Sequence, residues 1–139
     1  MFILNGGAVS WKSFKQDTTA NSTIEAEYIA ASEAAKEAIW MKKFITELRV
    51  IPSCVDLVTL YCCNNGVIAQ VREPRSHQKS KYILRKFHLI REIIGRGDVA
   101  AERVSSNNNI IDLLTKALSQ NMFKSHCSLM GIKHIGDWL

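Results

Sequence analysis

No apolar run in the 139 residues approaches the roughly 20 that a bilayer-spanning helix needs, so no transmembrane segment is expected. Residues 1–7 are apolar but lack the basic n-region and long h-region of a signal peptide. The expectation is therefore an intracellular chain, cytoplasmic or nuclear. C-x-x-C pairs are absent as well. The four cysteines, Cys54, Cys62, Cys63 and Cys127, read as free thiols rather than a disulfide framework. Cys127 beside His126, with His134 downstream, falls short of the four converging ligands of a zinc site. Internal repeats and low-complexity tracts are missing too. Acids are scarce over one stretch in particular. Residues 72–96 hold eight basic side chains against Glu73 and Glu92, a net of +6, which leaves −1 for the remainder of a chain whose total is +5.

What is present suits one soluble domain. A hydrophobic fraction of 47% is enough for a core, and 22% charged residues is ordinary for a globular chain. Residues 1–5 read as a strand, Gly6-Gly7 as a hairpin turn, and residues 8–16 as the returning strand. Ser22-x-x-Glu25 is a capping box that opens a helix running to about Leu48. Its apolar stripe is read as Ala30, Ala34, Ala38, Met41, Ile45 and Leu48. Residues 57–62, "LVTLYC", have the continuous apolarity of a strand covered on both faces. A short helix follows to about Val71, and Pro74 breaks it. A basic loop leads into a helix over 80–94, with Ile83, Phe87, Ile90 and Ile94 inward and Arg85, His88 and Glu92 outward. Gly95 is expected as its C-cap. Residues 98–104 read as a strand, 110–118 as a short helix and 120–131 as a last helix. The order predicts a mixed α/β domain in three layers. Its subdivisions are a hairpin at 1–16, a main body at 22–118 and a C-terminal helix and tail at 119–139.

Three places carry candidate chemistry. Glu27 falls on the stripe expected to be buried, where a lone acid is unfavourable unless it finds a partner or a metal. It is either at the edge of the core or part of a site. Cys62 and Cys63 stand where a strand ends and a helix begins at Asn64, Asn65 and Gly66. A nucleophilic thiol there would need a base, and none is placed beside it by the sequence. The basic stretch supplies Arg75, His77, Lys79, Lys81, Arg85 and Lys86 as candidate contacts to nucleic-acid phosphates, with a solvated helix face as the alternative.

The segments "SWKSFKQ", "STIEAEYIAASEAAKEAIWMKKF", "SHQKSKYILRKFHLIREIIGRGDV" and "DLLTKAL" keep one order along the chain. Together they closely resemble the ribonuclease H region at the C-terminal end of plant copia-type retrotransposon polyproteins. The resemblance implies a ribonuclease H-like, three-layer fold on a five-stranded mixed sheet. It implies cleavage of RNA in RNA/DNA hybrids by four carboxylates around two divalent ions, Mg²⁺ or Mn²⁺. It further implies an RNA/DNA hybrid and the reverse transcriptase portion of the same polyprotein as partners. The second carboxylate falls on Glu27, in "EAEY". The third belongs to a "YCDN" motif that reads Tyr61-Cys62-Cys63-Asn64 here, so Cys63 stands in an aspartate's place. The fourth falls on Asp112. The first would lie on a strand upstream of the hairpin, which this sequence does not contain. Other departures are Tyr82 in place of histidine and Asn107 and Asn108 in place of acids. Glu27 and Asp112 are then the remaining catalytic and metal-ligating candidates. A neutral thiol is a poor ligand for a hard cation. The expectation is a degenerate copy without cleavage activity. The alternatives are a remnant kept for nucleic-acid binding, or a nuclease completed by an upstream strand.

Overall fold

A computed structural model of the chain describes residues 1–49, 57–72, 81–133 and 136. Among them lie four strands, β1 (Phe2–Leu4), β2 (Gly7–Ser10), β3 (Val58–Cys62) and β4 (Val99–Arg103). The helices are α1 (Thr23–Leu48), α2 (Asn65–Arg72), α3 (Lys81–Gly95), α4 (Asp112–Thr115) and α5 (Gln120–Leu129), with a 3₁₀ turn at Ser106–Asn108. The chain is mixed α/β, as expected. The strands pair as two separate two-stranded sheets, β1 antiparallel to β2 and β3 parallel to β4. The single five-stranded sheet implied by the resemblance is not formed among the described residues, because no strand adds to either pair. Two compact units result: residues 18–104, and residues 1–17 with 105–139. No helix among the described residues is long and apolar enough to cross a membrane.

In the 18–104 unit, α1 begins as the sequence predicts. Ser22 is extended at the N-cap, and its hydroxyl accepts from the Glu25 amide at 3.2 Å. The Glu25 carboxylate accepts in turn from the Asn21 amide, one residue before the usual reciprocal donor of a capping box. The buried face differs from the expected one. Tyr28, Ile29, Ser32, Ala35 and Ala38 are buried, whereas Ala30 is exposed and Leu48 is 54% exposed. Tyr28 is the largest side chain on that face. Its ring stacks on Phe87 of α3, centroids 3.8 Å apart. The small residues that follow let α3 and β3 approach α1.

Of the side chains expected inward on α3, Phe87 and Ile90 are buried, Ile94 is half-buried with Ile93 buried in its stead, and that of Ile83 lies outside the described residues; Arg85, His88 and Glu92 are exposed, as expected. Gly95 is the last residue of the helix rather than its left-handed cap. The positive φ falls two residues on, at Gly97 (φ +76), whose amide donates to the Ile94 carbonyl. β3 is less buried than its apolarity suggests, with Tyr61 66% exposed. A strand whose only described partner is β4 stays at a sheet edge, so its side chains lack cover from a second neighbour.

In the other unit, the hairpin turns at Asn5 (φ +50) and Gly6 (φ +77), not at Gly6-Gly7. Two consecutive positive φ values define the tight turn that matches strand twist, and asparagine and glycine reach them most readily. β2 ends at Ser10, well short of the expected residue 16. α5 closes in a Schellman arrangement: Gly131 N–H donates to Ser128 O and Ile132 N–H to Cys127 O, each at 3.0 Å. Gly131 has φ +74, and a Cβ there would lie 2.6 Å from the Gly6 carbonyl oxygen, so the hairpin turn and the end of α5 pack backbone to backbone. The Ala8 amide donates to Met130 O at 2.9 Å across the same junction. The helix expected over 110–118 is a single turn at 112–115, with Lys116 already extended.

Candidate functional site

Glu27, Cys62 and Cys63 belong to the 18–104 unit. β3 ends at Cys62, whose carbonyl accepts from the Val104 amide at 3.0 Å and so fixes the strand end against the chain beyond β4. Asn64 then caps α2. Its side-chain oxygen accepts from the Gly66 amide at 2.8 Å, and its carbonyl accepts from Ile68 at 3.3 Å. A Cβ on Gly66 would lie 3.1 Å from Ile24, so the first turn of α1 sits close over this junction. Glu27, one turn further along α1, is half-buried.

The Cys62 thiol donates to the Asn64 carbonyl at 3.8 Å. Its pKa lies above the usual thiol value, chiefly through burial, with the charges of Glu27 and Cys63 adding to the rise. A thiol held protonated is neither an attacking nucleophile nor a good metal donor. Cys63 is a free, exposed thiol.

Asp112 belongs to the other unit and opens α4. Its side chain is only 8% exposed, and both oxygens are engaged. Oδ1 accepts from Asn109 Nδ2 at 3.0 Å, and Oδ2 pairs with Lys116 Nζ at 2.8 Å. Nearby, His126 of α5 is buried, with Nε2 3.1 Å from the Asn107 carbonyl oxygen.

The donors do not fit the magnesium or manganese that the resemblance implies. Hard cations want several oxygen ligands. The strand-end cluster offers one carboxylate beside two thiols, and the Asp112 oxygens are occupied by an amide and an ammonium. Among the described residues, no group of three His, Cys, Asp or Glu side chains is placed to hold a metal ion.

Of the candidate phosphate contacts, Arg75, His77 and Lys79 lie outside the described residues. Lys81 opens α3. Arg85 is exposed on α3, next to the exposed His88 of the same helix. Lys86 is 8% exposed and its ammonium pairs with Glu33, which also pairs with Lys36 at 3.2 Å. That pairing pulls the Glu33 carboxyl below its ordinary value, the Lys86 hydrogen bond being the main cause. Sequence reasoning missed this pair. The available signal was position: Lys86 lies beside Phe87 and four residues before Ile90, on the flank of the face α3 buries.

Sequence reasoning also passed over Tyr28 and Ser32. Both are fully buried, and their hydroxyls have no hydrogen-bond partner among the described residues. Burial raises the Tyr28 phenol well above its ordinary value, partly offset by the charge of Arg91. The phenol is therefore neutral at any physiological pH.

No protein-family model matches the chain, and no solved structure matches it. Curated proteins do. The retrovirus-related Pol polyprotein from transposon TNT 1-94 of Nicotiana tabacum is 36% identical over 132 residues, 95% of this chain and 10% of its own length. The corresponding polyproteins from transposons RE1 and RE2 of Arabidopsis thaliana are 30% and 31% identical over 91% and 89% of this chain, and 8% of each is covered. The chain thus spans about a tenth of the length of these relatives, and it is a homologue of one short segment of the retrovirus-related Pol polyproteins of plant transposons.

Proposed function

We propose that the chain is a copy of the ribonuclease H segment of a copia-type Pol polyprotein in which hydrolysis of RNA is lost and attraction to nucleic acid remains. The observation that carries this reading is the state of the two acids inherited by resemblance. Glu27 lies near Cys62 at a strand end where, by resemblance, the Cys63 thiol stands in place of a carboxylate, and Asp112 has both oxygens taken by Asn109 and Lys116. Ribonuclease H-type hydrolysis needs carboxylates free to hold two cations about 4 Å apart. This donor set supplies neither the number nor the freedom. The ligand in this reading is an RNA/DNA hybrid, presented beside the reverse transcriptase portion of a polyprotein. The exposed Arg85 and the basic residues N-terminal to it would meet its phosphates, positioning without sequence readout.

The test is incubation of the full chain with a labelled RNA/DNA hybrid in Mg²⁺ or Mn²⁺. The expected result is salt-sensitive binding and no cleavage product. Metal-dependent cutting that vanishes in Glu27→Ala would overturn the proposal. So would a hybrid affinity indifferent both to salt and to Arg85→Ala.

A further inference from the structure

Beyond β2 the chain continues as an irregular segment in which an aromatic followed by a lysine occurs twice: Trp11-Lys12, then Phe14-Lys15, with Ser13 between. All five side chains are exposed. Trp11 is 64% and Phe14 53% exposed, so neither ring joins the described buried set of its own unit, Asp112, His126 and Met130. The Lys12 ammonium lies over the Phe14 ring, 4.7 Å from its centroid, a cation–π contact that holds a positive charge against an aromatic surface. Among the described residues, neither Lys12 nor Lys15 pairs with a carboxylate. No acid precedes Asp17 in the chain. Lys86 is the contrasting case, a cation whose charge is committed to Glu33.

We propose that residues 11–15 are a stacking platform for single-stranded nucleic acid, on which unpaired bases lie against Trp11 and Phe14 while their phosphates meet Lys12 and Lys15. This goes beyond the hybrid contact proposed around Arg85: it stands on other residues and takes a different ligand. Two features select that ligand. Exposed aromatic rings stack on unpaired bases whatever the sequence, because every base has a π-face. In a duplex those faces are covered by the neighbouring base pairs, so a paired strand offers the rings only edges and backbone. The lysines supply the second feature. The ammonium held over Phe14 gives a nucleotide stacked on that ring a cation beside its phosphate, and Lys15 adds another uncommitted charge. The spacing suits one short stretch of strand. Three residues of chain span at most about 10 Å, and a strand advances about 3.4 Å per nucleotide, so the two rings serve about three nucleotides. A membrane surface fits less well, because interfacial binding relies on a helix with one broad apolar face, and this segment is irregular.

The test is fluorescence anisotropy of labelled probes titrated with the full chain: oligothymidine of about ten nucleotides, an abasic strand of the same length, and the RNA/DNA hybrid. The abasic strand keeps the phosphates and removes what the rings would stack on. The expected result is that oligothymidine binds about tenfold more tightly than the abasic strand, the worth of one stacked base. Trp11→Ala should lower oligothymidine affinity by about tenfold and leave the abasic strand unaffected, whereas Trp11→Phe, which keeps a ring, should retain most of the affinity. Lys12→Ala should weaken both strands alike and reduce the slope of log affinity against log salt by about 0.7. These positions are on the surface, and helix content by circular dichroism confirms that each variant is folded. Equal affinity for oligothymidine and the abasic strand would overturn the proposal, as would a preference for bases that survives Trp11→Ala combined with Phe14→Ala. Binding to phosphatidylserine vesicles through these rings, with none to oligothymidine, would do the same. The two readings fail separately. Hybrid binding without a preference for bases removes this site and leaves the hybrid contact standing, and a preference for bases without hybrid binding does the reverse.

Discussion

Residues 18–104 bury Tyr28, Ile29, Val67, Phe87, Ile90 and Val99, whereas the buried side chains described in 1–17 and 105–139 are Asp112, His126 and Met130. The first unit excludes water with an apolar core, a contribution of about 1.5–3 kcal/mol for each large side chain fully covered. The second relies on named polar contacts: Asp112 with Asn109 and Lys116, His126 with Asn107, and a glycine-mediated junction between the hairpin turn and the end of α5. Hydrophobic burial is non-directional and tolerates exchange of its members, while hydrogen bonds fail singly when a partner is lost. The lesson concerns the two acids. An acid in the polar unit is absorbed into its structure, and an acid at the rim of the apolar unit is left half-exposed.

The largest effect expected from breaking this contrast lies where a charge enters the apolar unit. Glu33→Ala would remove the Glu33 carboxylate from the buried Lys86 ammonium, and should destabilise residues 18–104 by about 2 kcal/mol. That is below the usual range for a severed buried pair, because Glu33 is itself a third exposed. Lys86→Met should be milder, since Glu33 keeps Lys36 and water. Denaturant unfolding of the three proteins checks the order. The pair also sets a pH dependence. The folded-state pKa of Glu33 lies below its ordinary value of 4.5, so its stabilisation is present above that pH. It is lost as pH falls through the depressed folded value, and Glu33→Gln should flatten the stability profile in that acid window.

Much of the apolar unit was legible because periodicity and capping are local. Ser22-x-x-Glu25, Phe87 and Ile90 on the inward side of α3 and the Asn64 start of α2 follow from spacing alone. The rotation of the α1 face was not legible, since Ala30 and Ala35 are identical residues and only the position of α3 distinguishes them. Arg85 and Lys86 are adjacent cations that no composition rule separates; one is exposed and the other is drawn inward by Glu33, 53 residues away. The polar unit was least legible. The hairpin turn slipped by one residue, β2 ended early and the helix at 110–118 shrank to one turn, because that region is specified by long-range contacts such as Ala8 with Met130. Of the site, Glu27 stood out as an anomaly in the hydrophobic pattern. The capture of Asp112 could not be read from spacing, although Lys116 at i+4 is where an ion pair would form.

A smaller effect is expected from the polar unit. Asp112→Ala removes the acceptor for Asn109 and Lys116, and should destabilise by about 1 kcal/mol, since Lys116 is 58% exposed and regains water. The loss should be confined. Hydrogen exchange should quicken in peptides from 105–133 and remain unchanged in those from 81–104, because local opening follows local contacts. Exchange that quickens equally in both would mean that the two units unfold as one, and the contrast drawn above would fall.

The smallest effect is expected at the strand end, and it bears most directly on function. Cys63→Asp restores, by resemblance, the third carboxylate. The side chain is exposed, so stability should change by no more than about 0.5 kcal/mol. The new charge would give the strand end a carboxylate of its own, one residue from Cys62, which feels the charge of Glu27. Cleavage of an RNA/DNA hybrid should nevertheless stay absent. The Asp112 oxygens remain held by Asn109 and Lys116, and groups that act as one catalytic unit yield little when only some are present. Hybrid cleavage, with thermal unfolding measured at rising Mg²⁺, separates the outcomes. A metal-dependent rise in melting temperature without cleavage would mean that the strand end binds a cation once it has a carboxylate of its own, while Asp112 stays committed to its own unit. Cleavage by Cys63→Asp that disappears on adding Glu27→Ala would mean that Asp112 leaves Asn109 and Lys116 under reaction conditions. The proposed loss of hydrolysis would then rest on the thiol at position 63, and no longer on the difference between a free acid and a captured one.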